Sequence, residues 1–171
     1  MIRLVPHPAM PPRAVAGLTC TLLRHGDLLD IRYRVEASPG ALLLPPPAEP
    51  RRTDGLWRST CFELFAKGGG QGYSEFNFAP SSQWAAYRFT GRREGMAPLE
   101  MPVVPSIVWD DENPGLSARL HGIAPGPLWC GVTAVLQEKG GTVSYWALRH
   151  GGNQPDFHDP HCFVLEVPPA D

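Results

Sequence analysis

Between Leu56 and Gly91 the chain reads LWRSTCFELFAKGGGQGYSEFNFAPSSQWAAYRFTG, and the residue types in it could do chemistry together. Trp57 precedes Glu63 by six residues, so an unbroken strand puts both on one face. Arg88 lies two apolar runs later. An aromatic plane, a carboxylate acceptor and a guanidinium fork are the parts a sugar site needs. The ring stacks on the apolar face of a pyranose, and vicinal hydroxyls donate to the carboxylate and accept from the guanidinium. The plainer reading is that Glu63 and Arg88 sit on a solvated sheet face or form a surface ion pair, with Trp57 packed on a sheet edge.

A second constellation is the loop His150-Gly-Gly-Asn-Gln-Pro-Asp-Phe-His-Asp-Pro-His161-Cys162. It gathers three His, two Asp and a Cys in thirteen residues. The donor types suit zinc, which makes His150, His158 and His161 metal candidates. Their spacing matches no finger pattern. Asp156 and the Asp159-Pro160 pair read equally as turn chemistry. Glu63 and Glu75 on facing strands would suit a glycosidase carboxylate pair. A serine hydrolase lacks its elbow, since no G-x-S-x-G occurs.

The elements that must position these groups are strands. Cys61 to Phe65, Tyr73 to Phe78 and Trp84 to Phe89 are bounded by Gly68 to Gly72 and by Pro80-Ser81-Ser82. In the first two, side chains alternate with the period of two that marks half-buried antiparallel strands. Further strands are expected at Leu18 to Leu23, Leu28 to Val35, Ile107 to Trp109 and Leu116 to Leu120. The rest are expected at Trp129 to Gln137, Val143 to Leu148 and Cys162 to Val167, with Ala41 to Leu44 as a short edge segment. Twenty Pro and eighteen Gly punctuate these runs, and no helix of length is expected. The fold class is all-β, an antiparallel β-sandwich of two sheets packed face to face.

At 171 residues the chain is read as one domain, 1–171, large enough to bury a core without disulfide or metal. A net charge of -2 carries no footprint for nucleic acid or an anionic membrane. The N-terminus shows no apolar signal region, so a cytoplasmic location is expected. Cys20, Cys61, Cys130 and Cys162 form no CxxC and read as buried free thiols.

Trp57-Arg-Ser-Thr-Cys-Phe-Glu63-Leu-Phe resembles the W-x5-E-[IL]-F motif of family-nine carbohydrate-binding modules and their DOMON-like relatives. Ala86-Tyr87-Arg88-Phe89 is similar to the aromatic-Arg pair on that family's hairpin strand. Gln154-Pro-Asp-Phe157-His-Asp159-Pro160 is similar to its C-terminal Asn, Trp, Arg-Asp-Pro order. The segments TCFELF, EFNF and PDFH look closer still to a bacterial DOMON-like group. The resemblance spans about Asp30 to Val167 and implies a β-sandwich holding a sugar between two rings at Trp57 and Phe157. It also implies hydroxyl contacts from Glu63 and Arg88, with Gln154 assisting at the rim. Phe157 is smaller than the family's Trp, and Gln154 replaces its Asn. The expected function is a non-catalytic carbohydrate-binding domain without cofactor. The alternative ligand among DOMON relatives is haem, for which Met96 or Met101 with His150 or His158 would be the axial candidates.

Overall fold

The computed structural model describes residues 1–170. Its strands are β1 (Ile2–Pro6), β2 (Gly17–His25), β3 (Leu28–Glu36), β4 (Cys61–Lys67), β5 (Tyr73–Phe78) and β6 (Trp84–Phe89). They continue as β7 (Ala97–Pro98), β8 (Ser106–Asp110), β9 (Gly115–Leu120), β10 (Leu128–Gln137), β11 (Val143–Ala147) and β12 (Leu165–Val167). The helical pieces are two single 3-10 turns, Leu56–Arg58 and Pro160–Cys162. The chain is all-β and antiparallel, as the punctuated alternation predicts.

The strands run in one curled path, β7-β6-β5-β4-β10-β11-β1-β2-β3-β9-β8, with β12 on β10. The expected two sheets are therefore joined, and β1 joins them. Its Ile2, Arg3 and Leu4 pair with Cys20, Thr19 and Leu18 of β2. Its Val5 and Pro6 pair with Ala147 and Trp146 of β11. The sequence reading placed no strand here. Ile2 to Pro6 is short and Pro-flanked, and only the tertiary fold supplies its two partners.

The main core lies between the two halves of the curl. Leu29, Ile31 and Tyr33 of β3 and Leu116 and Leu120 of β9 face Phe62 and Leu64 of β4 and Val132 and Ala134 of β10. Tyr33 spans the halves by donating its phenol to the Glu63 carbonyl at 2.7 Å. Burial on β3 alternates strictly from Leu28 to Glu36, the pattern of a sheet with one wet face. Strand β4 differs, because Cys61 to Ala66 are all buried.

The cause is a second layer on the outer face of β4, β5, β6 and β10. Phe157, Cys162 and Phe163, from the segment between β11 and β12, pack there on Cys61, Phe65, Tyr73, Tyr87 and Phe89. The approach is close enough that a Cβ on Gly131 would sit 2.8 Å from the Phe163 ring. The cysteines are free and buried. Burial pushes the Cys20 thiol up to about 11 and that of Cys130 up to about 12, so neither is a reactive thiolate.

Candidate functional site

Strand register decides which side chains face the outer layer. Glu63 pairs with Asn77, Phe65 with Glu75, Glu75 with Tyr87 and Tyr73 with Phe89. Cross-strand partners share a face, so Glu63, Phe65, Tyr73, Glu75, Asn77, Tyr87 and Phe89 all point outward from the core. Under the segment that carries Phe157 they leave a cavity of about 320 Å³. Its apolar walls are Trp57, Phe65, Phe89, Tyr145 and Phe157, with Val135, Met96 and Pro155. Its polar lining is Glu63, Glu75, Arg93 and His158.

Trp57, Glu63 and Phe157 of the expected site therefore meet on one cavity. Trp57 arrives by a different route from the one its spacing suggested. It sits in the 3-10 turn Leu56–Arg58, and Ser59 and Thr60 separate that turn from β4. Gly55 enters the turn at a φ of 78°, a left-handed conformation that glycine adopts without strain. Trp57 then packs edge-on against Tyr87, centroids 6.4 Å apart, and stays 38 % exposed at the mouth. The Tyr87 phenol donates to Asp54 at 2.5 Å, which ties the turn to β6.

Arg88 does not join them. Tyr87 and Phe89 on either side of it face the cavity side, so alternation sends Arg88 to the opposite face, where it is exposed. The guanidinium on the cavity is Arg93, from the turn after β6. Gln154 is exposed and precedes Pro155, which lines the cavity.

The three histidines of the C-terminal loop part company. A His150 ring nitrogen lies 2.9 Å from the Val5 carbonyl, and His161 Nδ1 lies 2.7 Å from Asp159. Only His158 reaches the cavity, and no cluster suited to a metal ion occurs among the described residues. The Arg93 backbone N–H donates to the Tyr73 phenol oxygen at 3.2 Å. Tyr73 in turn lies 2.7 Å from His158 Nδ1, within hydrogen-bond distance. Nε2 faces Glu75 at 3.7 Å. Burial, with help from the Arg93 charge, lowers the His158 pKa to about 4, so the ring is neutral at physiological pH.

The carboxylates move the other way. Burial raises Glu63 well above its usual range, and the charge of Glu75 pushes it further. Glu75 is raised as well, chiefly by burial, against a hydrogen bond from Asn77. Groups so perturbed inside a cavity are the kind functional sites collect. Around them the loop is held by ions. Arg92 bonds Asp156 at 2.6 Å and Asp159 at 3.2 Å, and Arg93 bonds Asp156 at 2.9 Å. Burial works to raise Asp156, but the two Arg hydrogen bonds outweigh it and hold the carboxyl below its usual range.

From the sequence His158 is a candidate only for metal or haem, and neither Arg93 nor Tyr73 is singled out as a ligand-binding group. Tyr73 carried a usable signal, because it shares strand parity with Glu75 and Asn77. Arg93 carried none, lying in an irregular turn at a φ of 58°.

Comparison with known proteins places the fold. No family model and no curated protein sequence matches the chain. A solved structure from Bacteroides uniformis, described as a "putative carbohydrate-binding protein", is similar in fold with a TM-score of 0.64. The match covers 95% of this chain and 83% of that one, at 16% sequence identity.

Proposed function

We propose that the protein is a non-catalytic small-ligand-binding domain whose cavity takes a carbohydrate, in the manner of DOMON-like and family-nine sugar-binding domains. The observation that carries this reading is the convergence of Trp57, Phe157 and Glu63 on one cavity. Trp57 at the mouth offers a face for stacking on a sugar ring, and Phe157, packed on Tyr145, adds a second aromatic ring to the lining. Glu63 and Glu75 supply acceptors for hydroxyls, and Arg93 takes the donor role expected of Arg88. The volume of about 320 Å³ lies at the small end of the ligand-site range, which favours one or two sugar rings over a long chain. The similarity of fold to a protein described as carbohydrate-binding adds weak support.

Haem fits these residues poorly. His158 has Nδ1 engaged by Tyr73, and its Nε2 points toward Glu75 at 3.7 Å. Met101 packs against the main core and His150 is tied to Val5. Titration of the protein with hexoses, pentoses and short oligosaccharides, followed by tryptophan fluorescence, tests the sugar reading. Saturable quenching or enhancement that disappears in Trp57→Ala is the expected result. A flat response from every sugar would remove the reading.

A further inference from the structure

The floor of the cavity has more acceptors than donors. Thr133 Oγ1 donates to Glu63 Oε2 at 3.2 Å, and Glu63 Oε1 has no donor among the described residues. Asn77 Nδ2 donates to Glu75 Oε1 at 2.9 Å. Glu75 Oε2 has only His158 Nε2, at 3.7 Å, beyond hydrogen-bond distance. Behind that floor Asn77 is fully buried on the same strand face, does not itself line the cavity, and leaves its Oδ1 without a partner. Natural proteins rarely leave such an atom orphaned without a ligand, water or ion to meet it. Arg93, the one guanidinium on the cavity, bonds Asp156 through Nε and Nη2, and Arg92 bonds Asp156 and Asp159. His158 is neutral at physiological pH. The Arg93 charge reaches Glu75, but among the described residues no Arg or Lys pairs with Glu63 or Glu75, while aromatic rings form the cavity walls.

We propose that the cavity selects an amino sugar in its protonated form, the ammonium docking on Glu63 and Glu75 and the ring lying against Trp57 and Phe157. The sugar half rests on the carbohydrate reading above; the ammonium half rests on the unfilled acceptors. An ammonium brings three donors to one point, against one from a hydroxyl, and its charge removes the repulsion between two buried carboxylates. Aromatic walls around a cation add attraction rather than the cost of an unpaired buried charge. Glu63 and Glu75 are diagonal neighbours on the same face of adjacent strands, a relation that sets their Cα atoms about 7–8 Å apart. The titratable neighbours of the pair are His158, lowered to about 4, and Tyr73, Tyr87, Tyr33 and Cys61, all raised above their usual values, so none of these five changes charge between pH 6 and 8; the charged neighbour is Arg93. Protons lost on binding in that range therefore come from the carboxyls.

The test is isothermal calorimetry at pH 7 with glucosamine, galactosamine and mannosamine, each beside its parent hexose and its N-acetyl derivative. At least one amino sugar is expected to bind about ten-fold or more tightly than both neutral counterparts, the scale of one hydrogen bond to a charged group. Its binding heat should vary with buffer ionisation enthalpy in the sense of proton release. Glu63→Gln and Glu75→Gln, which keep shape and relieve buried charge, should cut that preference below about three-fold while leaving the thermal transition cooperative. A parent hexose binding as tightly as its amino sugar would overturn the ammonium inference and leave the carbohydrate reading standing. Heat from none of the sugars would overturn both. A preference that survives both Gln variants would show that the carboxylates are not its source.

Discussion

Glu63 and Glu75 stand on the same face of adjacent strands, offset by two register positions, with Glu63 opposite Asn77 and Glu75 opposite Phe65. Both are buried, and the layer that buries them comes from the far end of the chain. The relation makes the ionised pair a cost to folding that only a ligand or a proton relieves.

That cost predicts an unusual pH dependence. A carboxyl whose folded pKa is raised binds more protons in the native than in the unfolded state, so its contribution falls as pH rises. The loss begins at the unfolded value of about 4.3 and continues upward to the raised folded value. Glu63→Gln should therefore melt higher than the wild type at pH 8, by about 2–4 °C for each kcal/mol relieved, and coincide with it near pH 4. Thermal melts across that range would check this; a variant less stable at pH 8 would contradict it.

His158 pulls in the opposite direction. Its folded pKa of about 4 lies below the unfolded 6.5. The unfolded chain takes up the proton first, so stability is lost as pH falls from about 6.5 toward 4. Imidazole resonances followed by NMR should show His158 unprotonated down to about pH 4. A midpoint near 6.5 would mean that the ring is not buried on Tyr73 and Glu75.

Asp156 ties the C-terminal loop to the turn after β6. Its carboxylate accepts from Arg92, Arg93 and the His158 backbone N–H. Asp156→Ala should lower stability by about 1 kcal/mol, since exposed Arg pairs contribute little each. It should also speed proteolysis between residues 149 and 163. Unchanged cleavage at that loop would show that packing of Phe157 and Phe163 alone holds it.

Gly131 lies beneath that same loop. Gly131→Val would drive Cβ into the Phe163 ring and the Cys162 carbonyl. Overpacking of this kind costs about 1–3 kcal/mol, and here it should lift the loop and open the cavity. Loss of the ligand response with β-sheet circular dichroism retained is the expected outcome; an unaltered response would detach the loop from the site.

How much of this could be read from residues alone differs between strand and site. The alternation in Leu28 to Val35 and Tyr73 to Phe78 is visible because each strand carries its own pattern of faces. The hairpin turns at Gly26 and Gly141 are visible because glycine punctuates them. Strand β1 is not, since nothing within Ile2 to Pro6 says that it will pair with both β2 and β11. Arg88 could have been placed by parity, for Tyr87 and Phe89 flank it and share the face of Glu75. The burial of Glu63 could not. A charge inside a strand reads as solvated until a distant loop is seen to cover it, and Phe157 and Phe163 supply that cover from beyond β11.

The central claim is that Trp57, Phe157 and Glu63 bound a site that takes a sugar. Calorimetric titration of wild type and Trp57→Ala against a panel of hexoses, amino hexoses, pentoses and short oligosaccharides tests it most directly. The account predicts saturable binding of at least one sugar, weakened in Trp57→Ala by about 1–3 kcal/mol, the scale of a lost aromatic contact. Absence of binding by every sugar, or equal affinity in the two proteins, would contradict it.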